Sequence, residues 1–306
     1  SRHEAVPVVI VMDKFKGCLT SIEAGAALAG GLREALGAPG RPVDVRGLAD
    51  GGDGLVELLR RAGAPVTGHV VQVGGEPRPF DVAWLAGAAV IESAQLVGLH
   101  RGGVLRSDPI GASSEAVGLA IGELCGQAEG PSEIVIGVGG TNCTDAGMGL
   151  LRGLGAQVRA ADGAPIAAGG NGLQALATID SAAAQELLAG TQLVFATDVT
   201  APLHGPGGAA FGFARQKGAS PDQVEALDAG LAHAGRILAA MATGFDPDAP
   251  GLGAGGGMPA AASALLGARI TSGADLAFEA TGLASAIRSA SLVITGEVEA
   301  SLAGDD

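Results

Sequence analysis

The sequence is short of positive charge, of lysine above all, and it has few cysteines and no long apolar run. Eighteen Lys and Arg stand against 32 Asp and Glu, a net charge of −14. Nucleic acid or an anionic membrane surface would repel such a chain, so neither is expected as a partner. No apolar stretch approaches the roughly 20 residues that cross a bilayer. The opening "SRHEAVPVVIVMD" lacks a basic segment followed by a long apolar core, so no signal peptide is expected. Cys18, Cys125 and Cys143 are odd in number, scattered and without a CxxC pair. They read as reduced thiols of a cytoplasmic protein rather than a disulfide frame or a zinc site. A Walker A run, the H-R-D and D-F-G signatures of protein kinases, the G-x-S-x-G elbow and H-E-x-x-H are all missing, and the five histidines stand alone.

What the chain does have is glycine, 53 in 306 residues, against a usual share of roughly 7%. The glycines follow no three-residue period, which excludes collagen, and apolar runs alternate with polar punctuation, which argues against disorder. The length favours two domains. "VPVVIVMD", "VDVRGLAD", "AAVIE", "LVFATD" and "SLVITGE" are short β-branched runs that end on Asp13, Asp50, Glu92, Asp198 and Glu297, and "EIVIGVGGTNCTD" reaches Asp145 a few residues after its strand. Runs apolar on both faces suit a parallel sheet covered by helices. Helical segments follow several of them ("SIEAGAALAGGLREALG", "GLVELLRRAG", "ASSEAVGLAIGELCG", "DQVEALDAGLAHAGRILAAMA"), so the class is α/β. Residues 66–92 break the pattern: three strands joined by short Gly/Pro turns are expected there, antiparallel, with a domain boundary near Pro65.

Ligands of open α/β sheets bind at the carboxyl ends of strands, where these acids cluster. In 136–151, "IGVGGTNCTDAGMGLL", a plain strand-to-helix connection needs only a turn and a cap, yet the chain places Gly139, Gly140, Thr141, Thr144 and Asp145 there. Glycines permit close backbone approach, and the hydroxyls and carboxylate suit a small polar ligand. Lysine occurs only at Lys14, Lys16 and Lys217, while Arg serves elsewhere. A retained Lys can act as a compact charge on phosphate, and Lys14 and Lys16 precede a helix whose cap is Thr20 or Ser21. In "LADGGDG", Asp50 ends a strand, and Asp53 can cap the next helix or hold a cation. The formal G-x-G-x-x-G at Gly251, Gly253 and Gly256 has no strand before it, so a dinucleotide oxidoreductase is a weak reading. As a nest of N–H groups, Gly253, Gly255 and Gly256 suit a phosphate chain. Asp198 can accept a proton from a hydroxyl or hold Mg²⁺, unless it merely caps a turn. Acids for Mg²⁺, with N–H groups and Lys for phosphate, suit a metal–nucleotide complex.

These stretches together resemble the type I glycerate kinase family. "MDKFKGCLTSIEAG" is similar to its D-S-F-K-G-S-L-S/T motif, "LADGGDG" to A-D-G-G-E-G, and "IESAQLVGL" to I-E-M-A-x-x-x-G-L. "IGVGGTNCTDAGMGLLRGLGA" resembles G-V-G-G-S-A-T-N-D-G-G-x-G-x-L-x-A-L-G, and "ATDVTAPLHGPGGAAFGFARQKGA" resembles D-V-x-N-P-L-x-G-x-x-G-A-x-x-x-F-x-x-Q-K-G-A. "GLGAGGGMPAAASALLGA" and "LVITGE" complete the set in family order, from Val8 to Glu297. Departures stand at Lys14, within Cys143-Thr144-Asp145-Ala146-Gly147, where the Asn and one Gly of the family's T-N-D-G-G are gone, and after Glu297, where the chain reads "GEVEASLAGDD" against the family's G-E-G-R-x-D-x-Q and a further domain-half; a shortened chain is expected.

The resemblance implies phosphorylation of D-glycerate by ATP with Mg²⁺. It also implies two α/β domains: a discontinuous flavodoxin-like domain of residues 1–64 and 287–306, and an inserted mixed-sheet domain of 65–286. In this reading Asp198 and Lys16 are catalytic, and Lys16, Lys217, Gly253, Gly255 and Gly256 bind nucleotide phosphate. Asp13, Gly139, Gly140, Thr141 and Asp145 meet substrate, while Asp50, Asp53 and Glu297 hold the metal. A homodimer is left open as the assembly. The second reading is an inactive relative that binds a small hydroxy acid or nucleotide without turnover.

Overall fold

The structure is a computed structural model that describes residues 7–13, 19–36, 42–49, 51–101 and 104–296. Strands and helices alternate along it. First come β1 (Val8–Met12), α1 (Ser21–Leu36), β2 (Val43–Gly47) and α2 (Leu55–Arg61), then β3 (Val66–Val73), β4 (Glu76–Leu85) and β5 (Ala88–Glu92). The short α3 (Ser93–Val97) and the hairpin β6 (His100–Arg101) and β7 (Val104–Leu105) lead to α4 (Glu115–Cys125), β8 (Glu133–Gly137) and α5 (Met148–Gly153). An antiparallel pair, β9 (Gln157–Ala160) and β10 (Leu176–Asp180), precedes α6 (Ala182–Leu187) and β11 (Gln192–Ala196). The chain continues through α7 (Ala209–Phe213), α8 (Pro221–Met241), α9 (Ala254–Leu266), β12 (Arg269–Thr271), α10 (Gly273–Thr281), α11 (Leu283–Ser289) and β13 (Leu292–Gly296).

Two sheets organise these elements. The smaller is parallel, with order β13-β1-β2, so a strand near the end of the described chain pairs with the first one. The larger has order β12-β11-β8-β5-β4-β3. Its first four strands run parallel, and β4 and β3 are antiparallel additions, as residues 66–92 lead one to expect. Gly74 and Gly75, both at positive φ (59° and 85°), form the tight turn between β3 and β4.

The pleat explains why β8 is apolar throughout. Ile134 and Ile136 join a buried cluster with Ile121 of α4, Leu150 of α5 and Leu231 of α8. Val135, pointing the other way, joins Leu55 and Leu59 of α2 and Ala277 of α10. The large sheet is thus covered on both faces. The small sheet repeats the arrangement: Val9 and Val11 pack on Leu283 and Ala286 of α11, and Val8 and Ile10 on Ala29 of α1. Gly47, at the end of β2, lies so close to α2 that an added Cβ would stand 2.8 Å from Leu58 Cδ1. This contact sets the end of β2 against α2, which packs on the large sheet.

Candidate active site

β5, β8 and β11 are neighbours in the large sheet, and their carboxyl ends carry Glu92, the 138–147 loop and the 197–203 segment. The Gly51-Gly52-Asp53 turn lies across them. A Cβ built at Gly137 would fall 2.3 Å from the Gly51 carbonyl, and one at Gly139 would fall 2.7 Å from Gly52 Cα. Gly51 itself takes φ +81°, with its Cβ position 2.5 Å from the Ala196 carbonyl and 2.9 Å from Gly273 Cα. Only glycines let these backbones interlock. Asp53 is exposed, its Cβ 4.0 Å from where a Cβ at the exposed Gly140 would stand. Gly139 is half-buried and Thr141 is 4% exposed.

On the β11 side, Asp198 is exposed. Its Oδ1 accepts from Ser272 Oγ at 2.7 Å and its Oδ2 from Ala274 N at 2.9 Å. Ser272 caps α10, so Asp198 ties the β11 end to that helix. Because Gly273 also touches Gly51, the Gly51–Asp53 turn bridges Asp198 and Gly140. Contacts of the turn thus join Asp53, Gly139 and Gly140 on the β8 side to Ala196 and Gly273, next to Asp198, on the β11 side, and Thr141 follows as a buried residue. Asp13 is half-buried at the end of β1, where its N–H donates to the Gly296 carbonyl at 3.0 Å. Lys14, Lys16, Asp50 and Glu297 lie outside the described residues.

Three of the expected positions are engaged by the protein's own groups. Asp145 is turned inward. It is 1% exposed, and its carboxylate accepts from Ser114 N at 2.8 Å, Ser114 Oγ at 2.9 Å, and Gly147 N and Gly149 N at 3.2 Å. Burial raises its pKa above the ordinary range, against the pull of those donors. Nor does Lys217 offer an open charge to phosphate. Its side chain is 4% exposed, and the ammonium donates to the Cys143 carbonyl at 2.6 Å and to Thr144 Oγ1 at 3.4 Å. Burial lowers its pKa.

The glycine-rich run is the third such position. Gly253 and Gly256 are buried, and a Cβ at Gly253 would meet the Pro202 carbonyl at 2.3 Å. Gly256, at φ +75°, leaves 2.0 Å between its Cβ position and the Cys143 carbonyl. Gly253 thus seats the start of α9 on the 197–203 segment and Gly256 seats it on the 138–147 loop, while Gly255 between them is half-buried.

Glu92 ends a strand like the others, yet its sequence pattern did not mark it as a site residue. It is 3% exposed, accepts from Val56 N at 2.6 Å and Gln95 Nε2 at 3.2 Å, and so holds the start of α2 beneath Asp53. Burial raises its pKa. Next to it, Ser93 Oγ donates to the Gly137 carbonyl at 2.8 Å. Ser114, the buried partner of Asp145, was also missed; "ASSEAVGLA" announces a helix cap but not the carboxylate that its hydroxyl meets. Cys143 is a buried thiol, pushed up to about 12 by burial, and is chemically inert there.

Comparison with known proteins is consistent across sequence and structure. A profile of the glycerate kinase family matches residues 8–301. The chain is 35% identical over 296 residues to a protein of Escherichia coli K12 named glycerate 2-kinase, covering 95% of this chain and 76% of that one. It is 33% identical over 296 residues to a glycerate kinase of Bacillus subtilis 168, with the same coverage of 95% and 76%. A crystal structure from Salmonella typhimurium LT2, provisionally assigned as glycerate kinase 2, superposes with a TM-score of 0.79 at 33% identity, covering 98% of this chain and 81% of that chain. No helix among the described residues is long and apolar enough to cross a membrane.

Proposed function

The chain belongs to the glycerate kinase family, whose reaction moves the γ-phosphoryl of ATP to glycerate, and we propose that this transfer takes place on the face shared by Asp53, Gly139, Gly140, Thr141 and Asp198. The observation that supports this location most directly is the Gly51–Asp53 turn, which spans the ends of β8 and β11, sets the exposed Asp53 beside the exposed Gly140, and touches Ala196, two residues before the exposed Asp198.

Phosphoryl transfer asks a protein for positioning and charge neutralisation more than for covalent chemistry. The exposed Gly140, held in place by Gly139 on Gly52 and followed by Thr141, lets the glycerate approach the backbone. Asp198 takes the proton of the attacking hydroxyl. Its two oxygens already accept from Ser272 and Ala274, which orients the carboxylate while leaving lone pairs for a further donor. The E. coli relative's name favours the 2-hydroxyl as the acceptor. Gly255 is the part of the glycine run placed to meet phosphate, and Lys16 belongs to the same reading.

Among the described residues no three His, Cys, Asp or Glu gather into a self-sufficient metal site. Mg²⁺ in kinases needs only one or two carboxylates besides phosphate oxygens and water. The exposed Asp53 fits that need, with Asp50 and Glu297 as further candidates in sequence. Bound there, Mg²⁺ would neutralise charge on the β- and γ-phosphates. The same reading divides the chain into residues 1–64 with 287–306, and an inserted 65–286. The pairing of β13 with β1 supports it, and α2, packed on the large sheet, ties the two parts. A coupled assay with ATP, Mg²⁺ and D-glycerate tests the proposal. Glycerate-dependent ADP release is expected, with phosphorus NMR identifying the 2-phosphate, and no glycerate-dependent turnover would overturn it.

A further inference from the structure

Lys217 is a buried cation that phosphoryl transfer as described does not use. It closes the short 3₁₀ turn Arg215–Lys217. Its ammonium has no carboxylate within ion-pair distance among the described residues, and it donates instead to the Cys143 carbonyl and the Thr144 hydroxyl. Asp145, the nearby buried acid, has its oxygens taken up by Ser114, Gly147 and Gly149. Burying an ammonium against a carbonyl is costly unless it fixes something the fold needs. What it fixes is a single point of the 138–147 loop. The Cys143 carbonyl is caught between Lys217 Nζ at 2.6 Å and the tight face of Gly256. The lysine backbone is itself anchored, since Ser107 Oγ donates to its carbonyl at 2.8 Å. On the far side, the loop is joined to the end of α3 by Leu99 N to the Gly140 carbonyl and Asn142 N to the Val97 carbonyl, both 2.8 Å.

We propose that Lys217 is a positioning residue: its ammonium, locked on the Cys143 carbonyl, holds the loop in the shape that presents Gly139, Gly140 and Thr141 to glycerate. This rests on the substrate face proposed above. The lysine belongs under the loop rather than on the phosphates, and an arginine, with its planar fork, would not match a lone carbonyl and hydroxyl in so closed a space.

The test compares wild type, Lys217→Met and Lys217→Arg, each checked for folding by circular dichroism and thermal unfolding. Two readouts are taken: amide hydrogen exchange, and KM for glycerate and for ATP. In folded Lys217→Met, exchange at the Leu99 and Asn142 amides should quicken about tenfold or more while the β8 and β11 amides stay protected. KM for glycerate should rise about tenfold, and that for ATP should stay within about twofold. Lys217→Arg should recover only part of either effect. Unchanged exchange overturns the proposal, as does faster exchange with glycerate KM unaltered, or an equal rise in both KM values. If Lys217→Met does not fold, Ser107→Ala, at an exposed position that anchors the same lysine, should show a smaller change in the same direction, and no change there overturns it. Wild type without glycerate-dependent turnover defeats the substrate reading alone; exchange still decides whether Lys217 holds the loop.

Discussion

The ends of β8 and β11 are side by side in one sheet, and each carries an aspartate in a glycine-rich neighbourhood. Their acids have opposite fates. Asp145 is sunk beneath its loop with donors from Ser114, Gly147 and Gly149, whereas Asp198 stands exposed with one bond to a hydroxyl and one to a helix N-terminus. The third neighbour, Glu92 on β5, is buried like Asp145 and serves Val56 N at the start of α2. An acid at a strand end thus marks a place where loops must be held as often as a place where a ligand binds. The number of protein donors around the carboxylate separates the two uses: a carboxylate saturated by its own chain is structural, and one with lone pairs to spare on an open face can meet a proton or a cation.

The largest effect that should sharpen this contrast comes from the clamp above the buried acid. Gly256→Val places a branched side chain at φ +75°, where a Cβ would stand 2.0 Å from the Cys143 carbonyl. Neither backbone can yield without unseating α9 or the 138–147 loop. A loss beyond about 4 kcal/mol, seen as insoluble protein or a collapsed thermal transition, is expected. A folded variant with weakened nucleotide binding alone would restore the open-nest reading of this run.

Next in size is Asp198→Asn, which tests the exposed half of the comparison. The amide keeps an acceptor for Ser272 or Ala274 but cannot take a proton, so kcat should fall by about 10²–10⁴ with thermal stability little changed. If raised Mg²⁺ recovers much of the rate, Asp198 holds metal instead. If kcat is untouched and stability drops by about 1 kcal/mol, it is only a cap for α10.

Asp145→Asn should do the reverse. It turns one acceptor oxygen into a donor facing the N–H and O–H groups of Ser114, Gly147 and Gly149, and about 1–3 kcal/mol of stability should be lost. Denaturant unfolding measures that loss. Per folded molecule, kcat should stay within a few-fold of wild type. A large kcat loss with unchanged unfolding would put Asp145 back at the reacting centre.

The contrast also explains which parts of the molecule could be read from sequence. The parallel strands other than the three-residue β12, and the antiparallel 66–92 segment, were legible because a buried strand carries its signature within five or so residues, as β8 does with Ile134, Val135 and Ile136. The pairs β9–β10 and α10–α11 were not, being short and set by packing more than by pattern. Site residues were legible as motifs and not as roles. Gly140 and Gly256 look alike in sequence, yet one lies exposed beside Asp53 and the other is wedged on a carbonyl. Whether Lys217 points out or in depends on Cys143 and Ser107, some 74 and 110 residues away, which no local pattern can report.

The smallest effect concerns Glu92 and is read in a slope. Burial raises its folded pKa above the 4.5 of an ordinary glutamate, with the nearby Asp53 charge adding to the rise and the bonds from Val56 and Gln95 opposing it. The folded state therefore holds the proton more tightly than the unfolded chain. The stability this contributes is fully present below about pH 4.5 and is lost as pH climbs through the folded value. Glu92→Gln keeps an oxygen for Val56 N and carries no charge at any pH, so it lacks that slope. The variant's stability relative to wild type should then increase as pH rises from 4.5 towards 8, while the two proteins differ least at the acid end. Denaturant unfolding of both proteins across that range measures the difference. Parallel curves would mean that Glu92 is no more costly to ionise in the fold than in water, and that its bond to Val56 fully compensates its burial. A variant that fell steadily behind wild type as pH rose would mean more: the carboxylate charge itself stabilises the start of α2, and the donors from Val56 and Gln95 outweigh the cost of its burial.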